Sequence, residues 1–242
     1  MAQQSKTPDT VLVVDDEPKI LALVAAALRT PSRRVLEART GADAIALAER
    51  ERPQLILLDL GLPDMDGLEA CRALRRWSAV PIIVLSARGA ETDKTALLDA
   101  GADDYVTKPF GTAELRARVD AQLRRSRMAP LPGDDGPVTI GHVVVDTAAR
   151  RVRRDGEPVH LTPTEWSLLR VLLANAGRPV THARLFKDVW GNVAGDAQQY
   201  LRVYVGHLRR KLERDPYQPR IIITEPGVGY RLEMEAVRRD DS

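Results

Sequence analysis

Three runs in the first half of the chain, Val11–Val14, Leu55–Leu58 and Ile82–Leu85, are apolar at every position, and each stops on a polar side chain. A strand with one wet face alternates apolar and polar residues. A strand apolar throughout hides both faces, which is the habit of a parallel sheet covered by helices. Arg33–Glu37 and Tyr105–Val106 read as further strands, and helical stretches lie at Lys19–Leu28, Gly41–Arg50, Gly67–Arg76, Glu91–Ala100 and Thr112–Arg125. Strands and helices in alternation predict an α/β doubly wound domain over residues 9–125.

This rhythm breaks at residues 126–137, where three prolines, two glycines and two aspartates predict an exposed linker. Residues 138–233 follow a different pattern. Strand-like pieces at Val138–Asp146, Arg150–Arg154 and Val159–Leu161 are set apart by turn residues such as Asp155-Gly156. A helix then opens at Thr162, with Pro163 in its first turn and Glu165 placed to close a capping box. Further helices run over Thr181–Trp190 and from Ala197 to Glu213, and Ile221–Thr224 with Tyr230–Glu233 flank a glycine-containing turn. Helices followed by a terminal hairpin predict an α+β winged helix-turn-helix domain, with 234–242 left as a polar tail.

The charge divides unevenly. Residues 1–125 carry 18 basic and 19 acidic side chains, whereas residues 138–231 carry 15 and 9. The basic second half points to an anionic partner for that half, although a solvated basic face gives the same count. The longest nearly unbroken apolar stretch, Ile20–Leu28, has nine residues, against the roughly 20 that a membrane span needs. The N-terminus MAQQSKTPDT has no apolar core, Cys71 is the single cysteine, and no Cys/His cluster suits zinc. Together these features predict a cytoplasmic protein with no membrane partner.

Ligands of open α/β sheets bind at the carboxyl ends of the strands. Asp15 and Asp16 follow the strand at Val11–Val14, Asp59 that at Leu55–Leu58, Ser86 that at Ile82–Leu85, and Lys108 with Pro109 that at Tyr105–Val106. Folding would bring all five side chains to one edge. Crowded carboxylates repel and favour a hard divalent cation with oxygen ligands, Mg²⁺ above all. Lys108 adds a positive charge for an anion and Ser86 a hydroxyl donor. The set reads as a phosphoryl-accepting aspartate beside a metal site. Taken singly, each residue is as easily a helix cap or a solvated charge; their coincidence at four strand ends favours the chemistry.

The segments VLVVDDEP, LILLDLGLPDMDG, PIIVLSA and GADDYVTKPF, in this order, resemble the receiver domain of two-component response regulators. That resemblance implies a flavodoxin-like, five-stranded parallel sheet phosphorylated by a sensor histidine kinase. It makes Asp59 the phosphoacceptor and assigns Mg²⁺ to Asp15, Asp16, Asp59 and the backbone carbonyl of Gly61. Ser86 and Lys108 would contact the phosphoryl group, the Lys108–Pro109 bond would be cis, and Tyr105 would turn inward as Ser86 moves. In the OmpR/PhoB family the face built from Glu91–Ala100, Tyr105 and Thr112–Arg125 makes the active homodimer. Lys94, Asp103, Asp104, Glu114, Arg118 and Arg125 supply charges there that could cross-pair about a two-fold axis or pair within one protomer.

Laid out at about 100° per residue, the third helix of the second domain puts Leu201, Val205, Leu208 and Leu212 on a core stripe. The opposite side presents Gln199, Arg202, Val203, Gly206, His207 and Arg210 to a major groove of double-stranded DNA, or simply to solvent. Arg209 and, on the hairpin, Arg231 are further candidates for DNA contact, whereas Trp166, Trp190 and Tyr230 read as core. LTPTEWSLLRVLLANAGRPVT, LRRKLE and EPGVGYR resemble the OmpR/PhoB effector domain. QQYLRVYVGHLRRKLERDPYQPRIIITEPGVGYRL is closer still to the family's Kdp-type regulators of potassium transport, which share Arg202 and Tyr204 where most of the family carries Asp and His. By resemblance the loop Asn192–Gln198 faces RNA polymerase.

The function implied is a phosphorylation-activated transcription factor binding tandem half-sites, of a potassium-transport operon or of another regulon. Two alternatives are a DNA-binding protein indifferent to phosphorylation and a phosphatase working through an aspartyl-phosphate. The phosphatase would want a second acid two residues after its nucleophile, where Gly61 stands.

Overall fold

A computed structural model describes residues 8–87, 96–126, 136–191 and 196–234. The chain separates into two compact units, one ending at Ser126 and the other beginning at Arg127.

In the first unit β1 (Asp9–Val14), β2 (Arg33–Ala38), β3 (Leu55–Asp59), β4 (Ile82–Ser86) and β5 (Asp104–Thr107) form one parallel sheet in the order β2-β1-β3-β4-β5. Helices α1 (Pro18–Leu28), α2 (Gly41–Glu51), α3 (Gly67–Arg75) and α4 (Thr112–Ser126) connect and cover it. The doubly wound reading is thus borne out, and the runs apolar at every position are the central strands. Val11, Val13, Leu55, Leu57, Ile83 and Leu85 pack with Leu21, Val24 and Leu28 of α1 and Leu115, Val119 and Leu123 of α4. Successive strand residues point to opposite faces, and the alternate set, Leu12, Ile56, Leu58 and Val84, is equally buried. The helix expected at Glu91–Ala100 is described only from residue 96, where 96–99 are helical.

Short side-chain caps set the helix starts. Thr40 Oγ1 accepts from Asp43 N–H at 3.1 Å at the head of α2, and Asp66 Oδ1 accepts from Leu68 N–H at 2.8 Å at the head of α3. Asp64, in the loop after β3, also reaches α2 and accepts from the Gly41 and Ala42 amides at 2.8 and 2.9 Å. The chain order leaves a switch point between β1 and β3, where ligand clefts of such sheets form.

The second unit begins with an antiparallel meander of β6 (Val138–Ile140), β7 (Val143–Asp146), β8 (Arg151–Arg154) and β9 (Glu157–Val159). The single strand expected over Val138–Asp146 is instead a hairpin, because Gly141 turns the chain with φ 60°. Then follow α5 (Pro163–Ala174), β10 (Val180–Thr181), α6 (His182–Trp190), α7 (Ala197–Leu212), β11 (Ile222–Glu225) and β12 (Gly229–Leu232). Helix α5 carries the capping box read from sequence: Glu165 N–H donates to Thr162 Oγ1 and Thr162 N–H to Glu165 Oε2. β10 was not expected; two residues are too short for periodicity to reveal, and it exists by pairing Val180 and Thr181 with Tyr230 and Gly229.

Candidate functional site

The carboxyl edge of the parallel sheet gathers the side chains its strand ends promised. Asp15 is fully buried, Asp16 exposed and Asp59 nearly buried, and one carboxylate oxygen from each lies within 4.8 Å of the others. The Lys108 ammonium sits among them, 2.8 Å from Asp15 Oδ2 and 2.6 Å from Asp59 Oδ1. The Lys108–Pro109 peptide is cis. Lys108 N–H donates to the Ser86 carbonyl at 2.7 Å, fastening the end of β5 beside that of β4, and Ser86 itself is buried. The Gly61 amide donates to the second Asp59 oxygen at 2.9 Å, and Glu17 N–H to Asp15 Oδ1 at 3.0 Å.

Burial is the main cause holding the Asp15 carboxyl above its ordinary value; the Asp59 charge adds to it, while Lys108 and the Glu17 amide oppose it. Burial pulls the Lys108 ammonium down, but its bonds to Asp15 and Asp59 prevail and hold it above its ordinary value. Three carboxylates against one ammonium leave an excess of negative charge facing oxygen donors only. A hard divalent cation fits that donor set.

The raised Asp15 fixes the sign of a prediction. A carboxyl raised in the folded state withdraws stability as pH climbs through its folded value. Asp15→Asn should therefore melt above the parent at neutral pH without divalent cation, and the two should converge below the ordinary aspartate range. Added Mg²⁺ should raise the melting temperature of the parent only. Thermal melts at two pH values, with and without Mg²⁺, check both statements.

The charges expected on a dimer face prove largely engaged within the protomer. Asp103 is fully buried and bonds Arg75 at 2.5 Å and the Ile82 amide at 3.0 Å. Arg118 is held by Asp104 at 2.9 Å and by Glu114 at 2.9 Å, and Arg125 is also buried. Asp103, Asp104 and Arg118 thus pair within the protomer, one of the two arrangements the sequence leaves open for them. Lys94 lies outside the described residues. Tyr105 is already buried on β5.

In the second unit, Asp196 caps α7 by accepting from the amides of Gln198 and Gln199 at 2.9 and 3.2 Å. Arg202 and Arg210 are exposed along the helix, with Gln199 and Gly206 half-buried between them. Val203 and His207, expected on the same outer face, are only 7% and 8% exposed. The reason is a second stripe, Tyr200, Val203, Tyr204 and His207, at i, i+3, i+4 and i+7. Tyr200 and Tyr204 pack on Trp190, with ring centroids 5.4 and 5.3 Å away, and His207 packs on Tyr204. The Glu165 carboxylate lies under the helix, 2.6 Å from Lys211 Nζ and 3.7 Å from His207 Nδ1. Glu165 was expected to cap α5; its hold on α7 was not legible.

Arg209 and Arg231, the two further candidates for DNA contact, also make bonds within the protomer. Arg209 donates to the Ile222 carbonyl at 2.7 Å and to Thr224 Oγ1 at 2.8 Å, bracing α7 against the hairpin. Arg231 is bonded to Glu225 at 2.7 Å and to Glu233. Along α7, Arg202 and Arg210 are exposed, and Gln199, Gly206 and Arg209 are half-buried. A Cβ at Gly206 would meet nothing within 4 Å. Gly206→Ala should stabilise the unit by about 0.5–1 kcal/mol and yet weaken DNA binding, if the bare backbone lets the helix lie close to DNA. Thermal melts beside fluorescence anisotropy on a DNA duplex check the pair of effects.

Comparison with known proteins agrees with this geometry. Residues 11–120 match the response regulator receiver domain, and residues 156–232 match the C-terminal domain of transcriptional regulatory proteins. DrrB of Thermotoga maritima, a solved OmpR/PhoB homologue, is 32% identical with a TM-score of 0.50, over 94% of this chain and 100% of its own. The KDP operon transcriptional regulatory protein KdpE of Escherichia coli is 53% identical over 92% of this chain and 98% of its own length. The chain is a response regulator of the OmpR/PhoB family. KdpE of Mycobacterium tuberculosis is 47% identical over 92% of this response regulator and 98% of its own length. A solved RitR mutant, 26% identical, superposes with a TM-score of 0.75 over 93% of this chain and 98% of its own. A response regulator with these two domains takes its phosphoryl group from a sensor kinase and binds DNA; it is a transcription regulator, not a phosphatase. No helix among the described residues is long and apolar enough to cross a membrane.

Proposed function

We propose that this response regulator controls a potassium-transport (Kdp) operon from the cytoplasm and is switched by phosphorylation of Asp59. The observation that carries the switch is the Lys108 ammonium bridging Asp15 and Asp59 beside Asp16. An Asp59 oxygen attacks the phosphorus of the kinase's phosphohistidine; the P–O bond forms as the P–N bond breaks, and the histidine leaves. Lys108 then has a phosphoryl oxygen to hold in place of a carboxylate oxygen, and Ser86, at the end of the neighbouring strand, supplies its hydroxyl. Asp15, Asp16, Asp59 and the Gly61 carbonyl would hold Mg²⁺, which when bound neutralises charge on the transferring group. Attack by water later returns the carboxylate and inorganic phosphate.

The Kdp assignment rests on the two KdpE relatives, each matched over 92% of this chain. It is supported by Tyr204, which packs against Trp190 and so shapes how α7 seats, and by Arg202, which faces outward. Phosphorylation would bring receivers together over the β5 and α4 face, where Glu114 remains half exposed beside Arg118. Two effector units would then occupy tandem half-sites, the tether raising their effective concentration. The loop Asn192–Gln198, described only from Asp196, would meet RNA polymerase. Selection of bound genomic fragments with and without acetyl phosphate and Mg²⁺ tests the reading. Enrichment beside a potassium-transporter operon, strengthened by the phosphodonor, is expected; enrichment only at other loci would remove the Kdp assignment.

A further inference from the structure

Away from the acidic pocket and the outer face of α7, the second unit sets Arg150 against the Trp166 indole, with the charge of Arg170 felt beside it. The turn at residues 147–150 joins β7 to β8, and Asp146, just before it, accepts from Ala149 N–H at 2.7 Å. Arg150 takes a left-handed conformation there, φ 52°, and its guanidinium carbon stands 5.9 Å from the centre of the Trp166 ring. Trp166 is buried on α5, and Arg170 is its i+4 neighbour on the same helix face. Arg170 is half-buried and makes no hydrogen bond or ion pair among the described residues; its Nε is shut from solvent without an acceptor. Burial first, and the Arg170 charge second, hold the Arg150 guanidinium below its ordinary value.

A half-buried guanidinium with no acceptor is unfavourable, and a second cation beside it makes the cleft worse. We propose that Arg150 and Arg170, beside Trp166, form a site for an oxyanion of the phosphate class, carried by α5 and the β7–β8 turn rather than by α7. An acceptor with three or four oxygens can take donors from both forks at once and removes their mutual repulsion. The Trp166 face fixes one fork by cation–π contact and limits its search. Free phosphate and a phosphate of the DNA backbone present the same oxygens, so the source is a matter for experiment.

The test uses the full chain and follows its three tryptophan indole N–H signals by NMR, assigned by Trp→Phe substitution. Inorganic phosphate is titrated against chloride at constant ionic strength, and a DNA duplex is titrated separately. The expected result is a saturable shift of the Trp166 signal and a rise in melting temperature, both lost in Arg170→Leu and retained in part in Arg170→Lys. Without phosphate or DNA, Arg170→Leu should melt no lower than the parent, because it removes a charge that has no partner; this separates loss of the site from loss of the fold. If only the duplex moves Trp166, and Arg170→Leu lowers the slope of log affinity against log salt by about one, the oxyanion is a DNA phosphate. If phosphate alone suffices, it is a free one. The proposal is overturned if neither moves Trp166 beyond the chloride control, if the shift survives in Arg170→Leu, or if that variant melts well below the parent without ligand.

Discussion

Asp59→Asn is expected to take up no phosphoryl group from acetyl phosphate and Mg²⁺, a fall in rate of at least about a thousandfold, as follows from removing a nucleophile. The amide is nearly the same shape as the carboxylate. Its single oxygen can still accept from the Gly61 amide or from Lys108, which bond the two Asp59 oxygens at 2.9 and 2.6 Å, while its NH2 group only donates. What it lacks is the charge and the free oxygen that attack phosphorus. The variant should therefore fold, and sedimentation should show its association state unmoved by phosphodonor while the parent dimerises. Intact-mass measurement reads the phosphoryl group directly. A variant still phosphorylated at the parent rate would move the acceptor to Asp15 or Asp16 and undo the switch as proposed.

Legibility in the sequence followed the physics of each element. The central strands were visible because burial on both faces leaves no polar position, and the pocket because each of those strands ends on one distinctive residue. Several of the intramolecular pairings depend on contacts between elements distant in sequence. Asp103 is paired with Arg75, 28 residues away, and Asp104 with Arg118, 14 away; no local pattern announces such pairs. Arg209 is as basic as Arg210, but its fork reaches the hairpin, and only the folded hairpin supplies the Ile222 carbonyl.

Helix α7 shows the difference most clearly. The leucine stripe was correct, with Leu201, Val205, Leu208 and Leu212 all buried. A single stripe implied that everything opposite was wet. Tyr200, Val203, Tyr204 and His207 form a second stripe at helical spacing, and aromatic residues at that spacing are a legible signal of packing. Counted together, the two stripes leave only a narrow strip of α7 facing outward, with Arg202 and Arg210 exposed on it.

Gly67→Ala is expected to damage the fold of the first unit, although glycine to alanine inside a helix is ordinarily favourable. Gly67 opens α3, and its amide donates to the Leu60 carbonyl at 3.0 Å. A Cβ there would lie 2.3 Å from the Asp59 carbonyl oxygen and 2.6 Å from Leu60 Cα. Both are backbone atoms, so no rotamer change relieves the clash; either the head of α3 or the end of β3 must move. The expected loss is about 3 kcal/mol, a fall in melting temperature of roughly 10 °C for a unit of this size. Gly111→Ala, where a Cβ meets nothing within 4 Å, should melt within a degree or two of the parent. Because the displaced backbone carries Asp59 and leads into Gly61, Gly67→Ala should also take up phosphate more slowly at temperatures where it remains folded. Normal melting in Gly67→Ala would mean that α3 can back away from β3 freely, and that the close approach of these backbones does not fix where Asp59 stands.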